Sequence, residues 1–190
     1  MERKYYTAEH IGTGGEYEPQ RTFNFTFLTA GPTKQYSTAE NLIAMSLYSL
    51  KLPKLGQELI TVEFGNEVRK VAGKISFEAF QMQCVDYVDK QTAAVLYDWK
   101  SMAGNPRTGR IGHTGEYKAP GTIILFAPNG AAQRTFECIG VWPREVDHGE
   151  GNMSTNDKVL ISVTFEVDRI CPDMGTTSLT DSTRKSGDTP

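Results

Sequence analysis

The sequence predicts a mainly β protein, an antiparallel β-sandwich or barrel with one flanking α-helix. Period-two alternation recurs in separate stretches, a tight-turn signature joins two apolar runs, and a single segment has helical spacing. At 190 residues the chain suits one well-buried domain and is marginal for two. The ends lack the apolar content to offset the entropy of ordering them. The expected organisation is an N-terminal extension over 1–18, a domain over 19–170 and a flexible tail over 171–190.

In "RTFNFTFL", Phe23, Phe25 and Phe27 alternate with Thr22, Asn24 and Thr26, the pattern of a half-buried strand. "LIAMSLYSLKLP" reads as a further strand ended by Pro53, against a competing capping box, Ser37 with Glu40, ahead of a helix. "ELITVEF", Gly65-Asn66 and "EVRKVAGKISFEAFQMQCV" read as a hairpin running into another strand. From Asp86 the period changes. Val88, Thr92, Val95, Leu96, Trp99, Met102 and Ala103 share one helical face, with Asp86 or Asp89 as the cap and Gly104, Asn105 and Pro106 as the stop.

"GTIILFA", the turn "PNG" and "RTFECIGVW" form a second hairpin, its turn set by Asn129-Gly130. Trp142 directly before Pro143 marks a strand end, because proline donates no N–H and holds the preceding residue extended. Trp142 is then an anchor packing that strand end into the core, with the Trp99 helix as the candidate surface. "KVLISVTFEVDRI" closes the pattern, with Val159, Ile161, Val163, Phe165 and Val167 on one face.

Bulk chemistry excludes several functions. A net charge of -3 gives no overall attraction for nucleic acid, and mean hydropathy of -0.41 fits a polar surface. No apolar run approaches the roughly 20 residues of a membrane span, and the N-terminus lacks a signal-peptide core. Synthesis in the cytoplasm without a membrane anchor is expected. Cys84, Cys138 and Cys171 lie far apart with no CxxC pairing, so neither a zinc site nor another cofactor is expected.

Gly109, Gly112 and Gly115, interleaved with Arg107, Arg110 and His113, have neither P-loop nor dinucleotide-site spacing and read as an exposed loop. His10, His113 and His148 stand in no metal-ligand or HExxH context. No GxSxG elbow supplies a nucleophile. Glu145, Asp147, Glu150, Asp157, Glu166 and Asp168 read as a solvated acidic face, which would repel a polyanion if it lined a channel. No enzyme is indicated. Trp99, Tyr117, Trp142 and Pro143 are structural anchors.

The order of landmarks resembles the tail tube proteins of contractile-tailed bacteriophages. Leu52-Pro53 follows a strand; a hairpin, a helix ending "YDWKSMAG" and "GEYK" come next; then a strand pair ending "GVWP" and an alternating strand ending "FEVD". The resemblance covers residues 19 to 169. It implies hexameric rings closing a β-barrel lumen, stacked into a tube that conducts the genome and the tape-measure protein. A tail sheath, a baseplate and a tail terminator would be its other partners, and the virion its location. Tubes of type VI secretion and other contractile injection systems are related, and a β-barrel enzyme or ligand-binding module is the more distant alternative.

Under this resemblance the candidate lumen or interface positions are Glu58, Glu63, Glu67 and Arg69. Alternation alone does not say which strand face meets the channel, since a one-residue register shift exchanges the faces. The terminal extensions would cross to neighbouring subunits. Cys171 could pair with Cys84 or Cys138 of another copy after release into oxidising surroundings.

Overall fold

The computed structural model describes residues 20, 22–32, 41–151, 153–154 and 157–173. The extension over 1–18, the Ser37–Glu40 box, His10 and residues 174–190 lie outside them. In chain order the elements are β1 (Phe25–Thr29), α1 (Leu42–Ser46), β2 (Leu47–Leu50), β3 (Leu55–Phe64), β4 (Glu67–Phe77), β5 (Phe80–Val85), α2 (Thr92–Ala103), α3 (Thr114–Tyr117), β6 (Ala119–Phe126), β7 (Ala132–Asp147), β8 (Leu160–Glu166) and β9 (Arg169–Asp173).

All strand pairs are antiparallel. One sheet runs β1-β6-β7-β8-β5-β2, with β9 added alongside β7, and β3 and β4 form a separate two-stranded sheet. β7 belongs to both halves of the larger sheet. Its first part pairs with β6 and β9, and its last part, from Trp142 onward, pairs with β8.

The corner falls at Gly140, whose φ of +72° lies in the left-handed region. A Cβ there would come 2.2 Å from Oδ2 of Asp168, which is held by the Lys118 ammonium at 2.7 Å. Gly140→Ala is expected to cost about 1 to 3 kcal/mol of stability through the strained backbone conformation. Thermal unfolding beside Ile139→Ala, an exposed neighbour without the strain, checks this.

Pro143 does not end the strand, contrary to the sequence expectation. It stands opposite Phe165 at a register shift before Glu145, and β7 continues to Asp147. A bulge tolerates the missing donor, so the ladder resumes beyond it.

The core lies between the two halves of the sheet and under α2. Phe27, Phe80 and Phe165 cluster with ring centroids 5.4 to 5.7 Å apart, and Trp99 meets Phe165 at 5.5 Å. Trp99 is fully buried, and its Nε1–H donates to the Tyr117 carbonyl at 2.7 Å, which satisfies its one polar group. Gly31 makes room for that indole: a Cβ there would stand 2.0 Å from the ring. Ile161, Val163, Phe165 and Val167 are buried as the alternation predicts, whereas Val159 is exposed ahead of the strand. Phe25 and Phe27 belong to β1 while Phe23 lies outside it, 70% exposed.

Two elements differ from the expected ones. Leu42–Ser46 is a helical turn, closed by the Met45 N–H donating to the Asn41 carbonyl at 2.9 Å, and only Leu47–Leu50 is strand. Ile43 and Ser46, three apart, face inward while Met45 points out, a helical spacing hidden inside an apolar run. α2 starts at Thr92, so Val88 precedes it and is 92% exposed. Asp86 does act at its start, accepting from the Ala93 N–H at 3.3 Å. The second hairpin forms as expected, with the positive φ carried by Gly130 and the Asn129 side chain accepting from the Ala131 N–H at 3.0 Å.

Candidate assembly interface

The β3–β4 ribbon projects from this body. Its strands contact chiefly one another, and nearly every residue in them is exposed. Gly65, at φ +60°, turns the chain between Phe64 and Glu67. The register puts Ile60, Val62, Phe64, Glu67, Arg69 and Val71 on one face of the outer half. Leu59, Thr61, Glu63, Val68, Lys70 and Ala72 occupy the other. Both faces are therefore apolar with charges interspersed. An isolated two-stranded ribbon is at best marginally stable in water, so such a surface is suited to being covered.

The ribbon carries all the sequence-predicted lumen or interface positions but divides them. Glu67 and Arg69 share a face with Phe64, Glu63 takes the opposite face, and Glu58 lies at the shift in register between Gln57 and Leu59. Open strand edges add to the interface. Among the described residues β1 pairs only with β6, β2 only with β5 and β9 only with β7. Such edges invite pairing with another chain.

The outer face of β2, β5 and β8 is different. Ser49, Lys51, Gln81, Gln83, Ser162 and Thr164 line a groove of about 300 Å³ there, and the Ser49 hydroxyl donates to the Gln83 side-chain carbonyl at 2.9 Å. Sequence reasoning passed over these residues because polar positions in and beside a strand look like ordinary solvated surface. Their register across adjacent strands was the only signal.

The anchors form one connected group. Trp142 is half-buried and meets Tyr117 edge to face at 5.3 Å, and the Tyr117 carbonyl receives the Trp99 Nε1–H. The contact with the Trp99 helix thus runs through α3. Arg107, Arg110 and His113 lie on an exposed loop, with Arg110 ion-paired to Glu116 at 3.3 Å. His148 stands 6.3 Å from Tyr97. Glu166 pairs with Arg144, and Asp168 with Lys118. Among the described residues no cluster of His, Cys, Asp and Glu could hold a metal ion, and no helix is long and apolar enough to cross a membrane.

All three cysteines are free thiols. Cys84 on β5 and Cys138 on β7 are buried, and burial pushes each thiol up to about 11; Cys171 on β9 is half-buried. β9 carries Cys171, Pro172 and Asp173 into the sheet, past the boundary drawn from composition. A raised folded-state value disfavours the reactive thiolate. Iodoacetamide at pH 8 is expected to modify Cys171 in the native protein and all three thiols in denaturant, read by intact mass. Both buried thiols also give stability that is complete below pH 9 and falls as pH rises towards 11, where only the unfolded chain ionises freely.

Comparison with solved structures places this geometry. A chain of the PVC sheath–tube complex, an extracellular contractile injection system in its extended state, matches with a TM-score of 0.63 and 14% identity, over 84% of this chain and 94% of that one. The chain shares its fold with contractile injection system components. A chain of the anti-feeding prophage tube-terminating cap matches at 0.63 and 14%, over 83% and 93%, and one from the anti-feeding prophage baseplate at 0.60 and 12%, over 82% and 96%. No protein-family model and no curated relative matches the chain. The contractile-system fold expected from "YDWKSMAG", "GEYK" and "GVWP" is thus present at very low sequence identity.

Proposed function

We propose that this chain is a structural subunit, not an enzyme, that self-assembles into stacked hexameric rings forming the tube of a contractile apparatus. The observation that carries the reading is the β3–β4 ribbon, a long apolar arm that the body of its own chain leaves uncovered. Open edges on β1, β2 and β9 support it, since ring closure removes edges that would otherwise aggregate. The fold shared with chains of sheath–tube, cap and baseplate assemblies agrees.

In this reading the tube is a passive conduit whose partners are its own copies, a tail sheath protein, a baseplate and a terminator. The sequence resemblance favours a phage tail in the virion, with DNA and tape-measure protein passing through a lumen that binds them weakly. The PVC and anti-feeding prophage likeness favours the second reading, an injection-system tube carrying protein effectors. The face of β2, β5 and β8, lined by hydroxyls and amides with Lys51 as its one charge, suits either, because it offers a cargo neither a charge lattice nor an apolar patch to adhere to.

Electron microscopy of the purified protein tests the assembly, with stacked six-fold rings as the expected image and a compact monomer at all concentrations as the result against it. Nucleic acid inside purified particles would select the phage reading, and its replacement by protein cargo the other.

A further inference from the structure

A second apolar feature lies at the root of the ribbon. Phe23, Phe25, Leu47, Tyr48 and Leu50 line a groove of about 330 Å³ beside the entry to β1 and along β2. Phe23 is 70% and Tyr48 49% exposed. The rim carries a cation: the Lys158 ammonium stands 3.9 Å over the Tyr48 ring. Asp157 is the acidic neighbour, its carboxylate accepting from the Lys158 N–H at 2.7 Å.

The ribbon tip is the complement. Phe64 is 85% exposed, and Glu67 is its cross-strand partner on the same face. The tip cannot reach the groove of its own chain. The ribbon root is tied beside the groove, with the Lys51 N–H donating to Gln81 at 2.8 Å and the Glu78 N–H to Lys54 at 3.2 Å. β3 then carries Phe64 outward, and at about 3.3 Å per residue a strand of this length spans roughly 30 Å.

We propose that Phe64 of one copy seats in the Phe23, Phe25, Leu47, Tyr48 and Leu50 groove of a second copy, with Glu67 meeting Lys158. The contact rests on the self-assembly reading and specifies its surfaces. Tip and groove are different parts of one molecule, so the contact is head-to-tail and propagates from copy to copy into rings or stacks instead of closing a pair. Apolar insertion supplies the attraction, and the opposed charges set the register.

The test places a photo-crosslinking benzoylphenylalanine at position 64 of the full chain and identifies the captured peptide in assembled material. Capture of residues 22–25 or 47–50 of another copy is expected; capture of any other surface overturns the contact. The same probe at position 48 should capture residues 63–67, and capture of residues 1–19 of its own chain would show the groove already filled and overturn the proposal. Glu67→Lys or Lys158→Glu should each lower assembly about tenfold, and the two together should restore it. Absence of restoration counts against the pairing. Wild-type protein that forms no assembly removes the underlying self-assembly reading, whereas normal assembly with capture elsewhere removes only this contact.

Discussion

Trp99→Ala should lower the unfolding free energy by about 3 to 5 kcal/mol, the range for emptying a fully buried aromatic site. Trp99 is enclosed by Gly31 and Phe165 and donates to the Tyr117 carbonyl. Removing the indole opens a cavity beside the Phe27, Phe80 and Phe165 cluster and leaves that carbonyl without its partner. It also detaches α2 from α3, on which Trp142 rests. Urea unfolding measures the loss, with Tyr97→Ala, a more exposed aromatic of the same helix, as the control. Trp99→Phe should recover part of the packing but none of the hydrogen bond. A loss below about 1 kcal/mol would mean that the core does not depend on this anchor.

Excising the ribbon should have the opposite profile. A chain in which residues 57–75 are replaced by a short Asn-Gly turn is expected to keep the unfolding free energy within about 1 kcal/mol of the parent, measured on dilute protein. The strands removed bury little against the body, so the core keeps its packing. Assembly should be lost altogether, seen as a single slow species by sedimentation velocity where the parent is expected to form large particles. Normal rings from the shortened chain would rule out the ribbon as an assembly arm. A collapse in monomer stability would instead show that it supports the fold. Retaining the ribbon has a cost before assembly, since Ile60, Val62, Phe64 and Val71 form an exposed apolar stripe. Glu67 and Arg69 on that face, with Glu63 and Lys70 on the other, are the charges that restrain indiscriminate pairing.

Much of the fold was legible in local patterns. Alternation in "LISVTFEV" located β8 and its buried face, Asn129-Gly130 located the turn between β6 and β7, and three- and four-residue spacing located α2. Each reports a single element with one buried side, a property that the chain writes at short range. The misplaced features involve competition with distant partners. Leu42–Ser46 lies in an apolar run that fits strand as well as helix until the core selects a face. Pro143 reads as a terminator until β8 offers a pairing that resumes beyond the bulge.

The candidate interface was legible as residues and illegible as a surface. Glu58, Glu63, Glu67 and Arg69 all lie on the ribbon, yet a hairpin packed on a core and one standing free have the same turn and the same alternation. By itself the sequence determined most of the secondary elements, because these depend on neighbours a few positions away, and the resemblance to contractile-tail tubes, through the order of such local landmarks along the chain. Only the tertiary structure decided that β7 serves both halves of the sheet, that both ribbon faces stay uncovered, and that a groove bordered by Lys158 lies at the ribbon's root. Sheet membership, exposure and the meeting of Tyr48 with Lys158 depend on which distant segments come together, and short-range periodicity does not encode that.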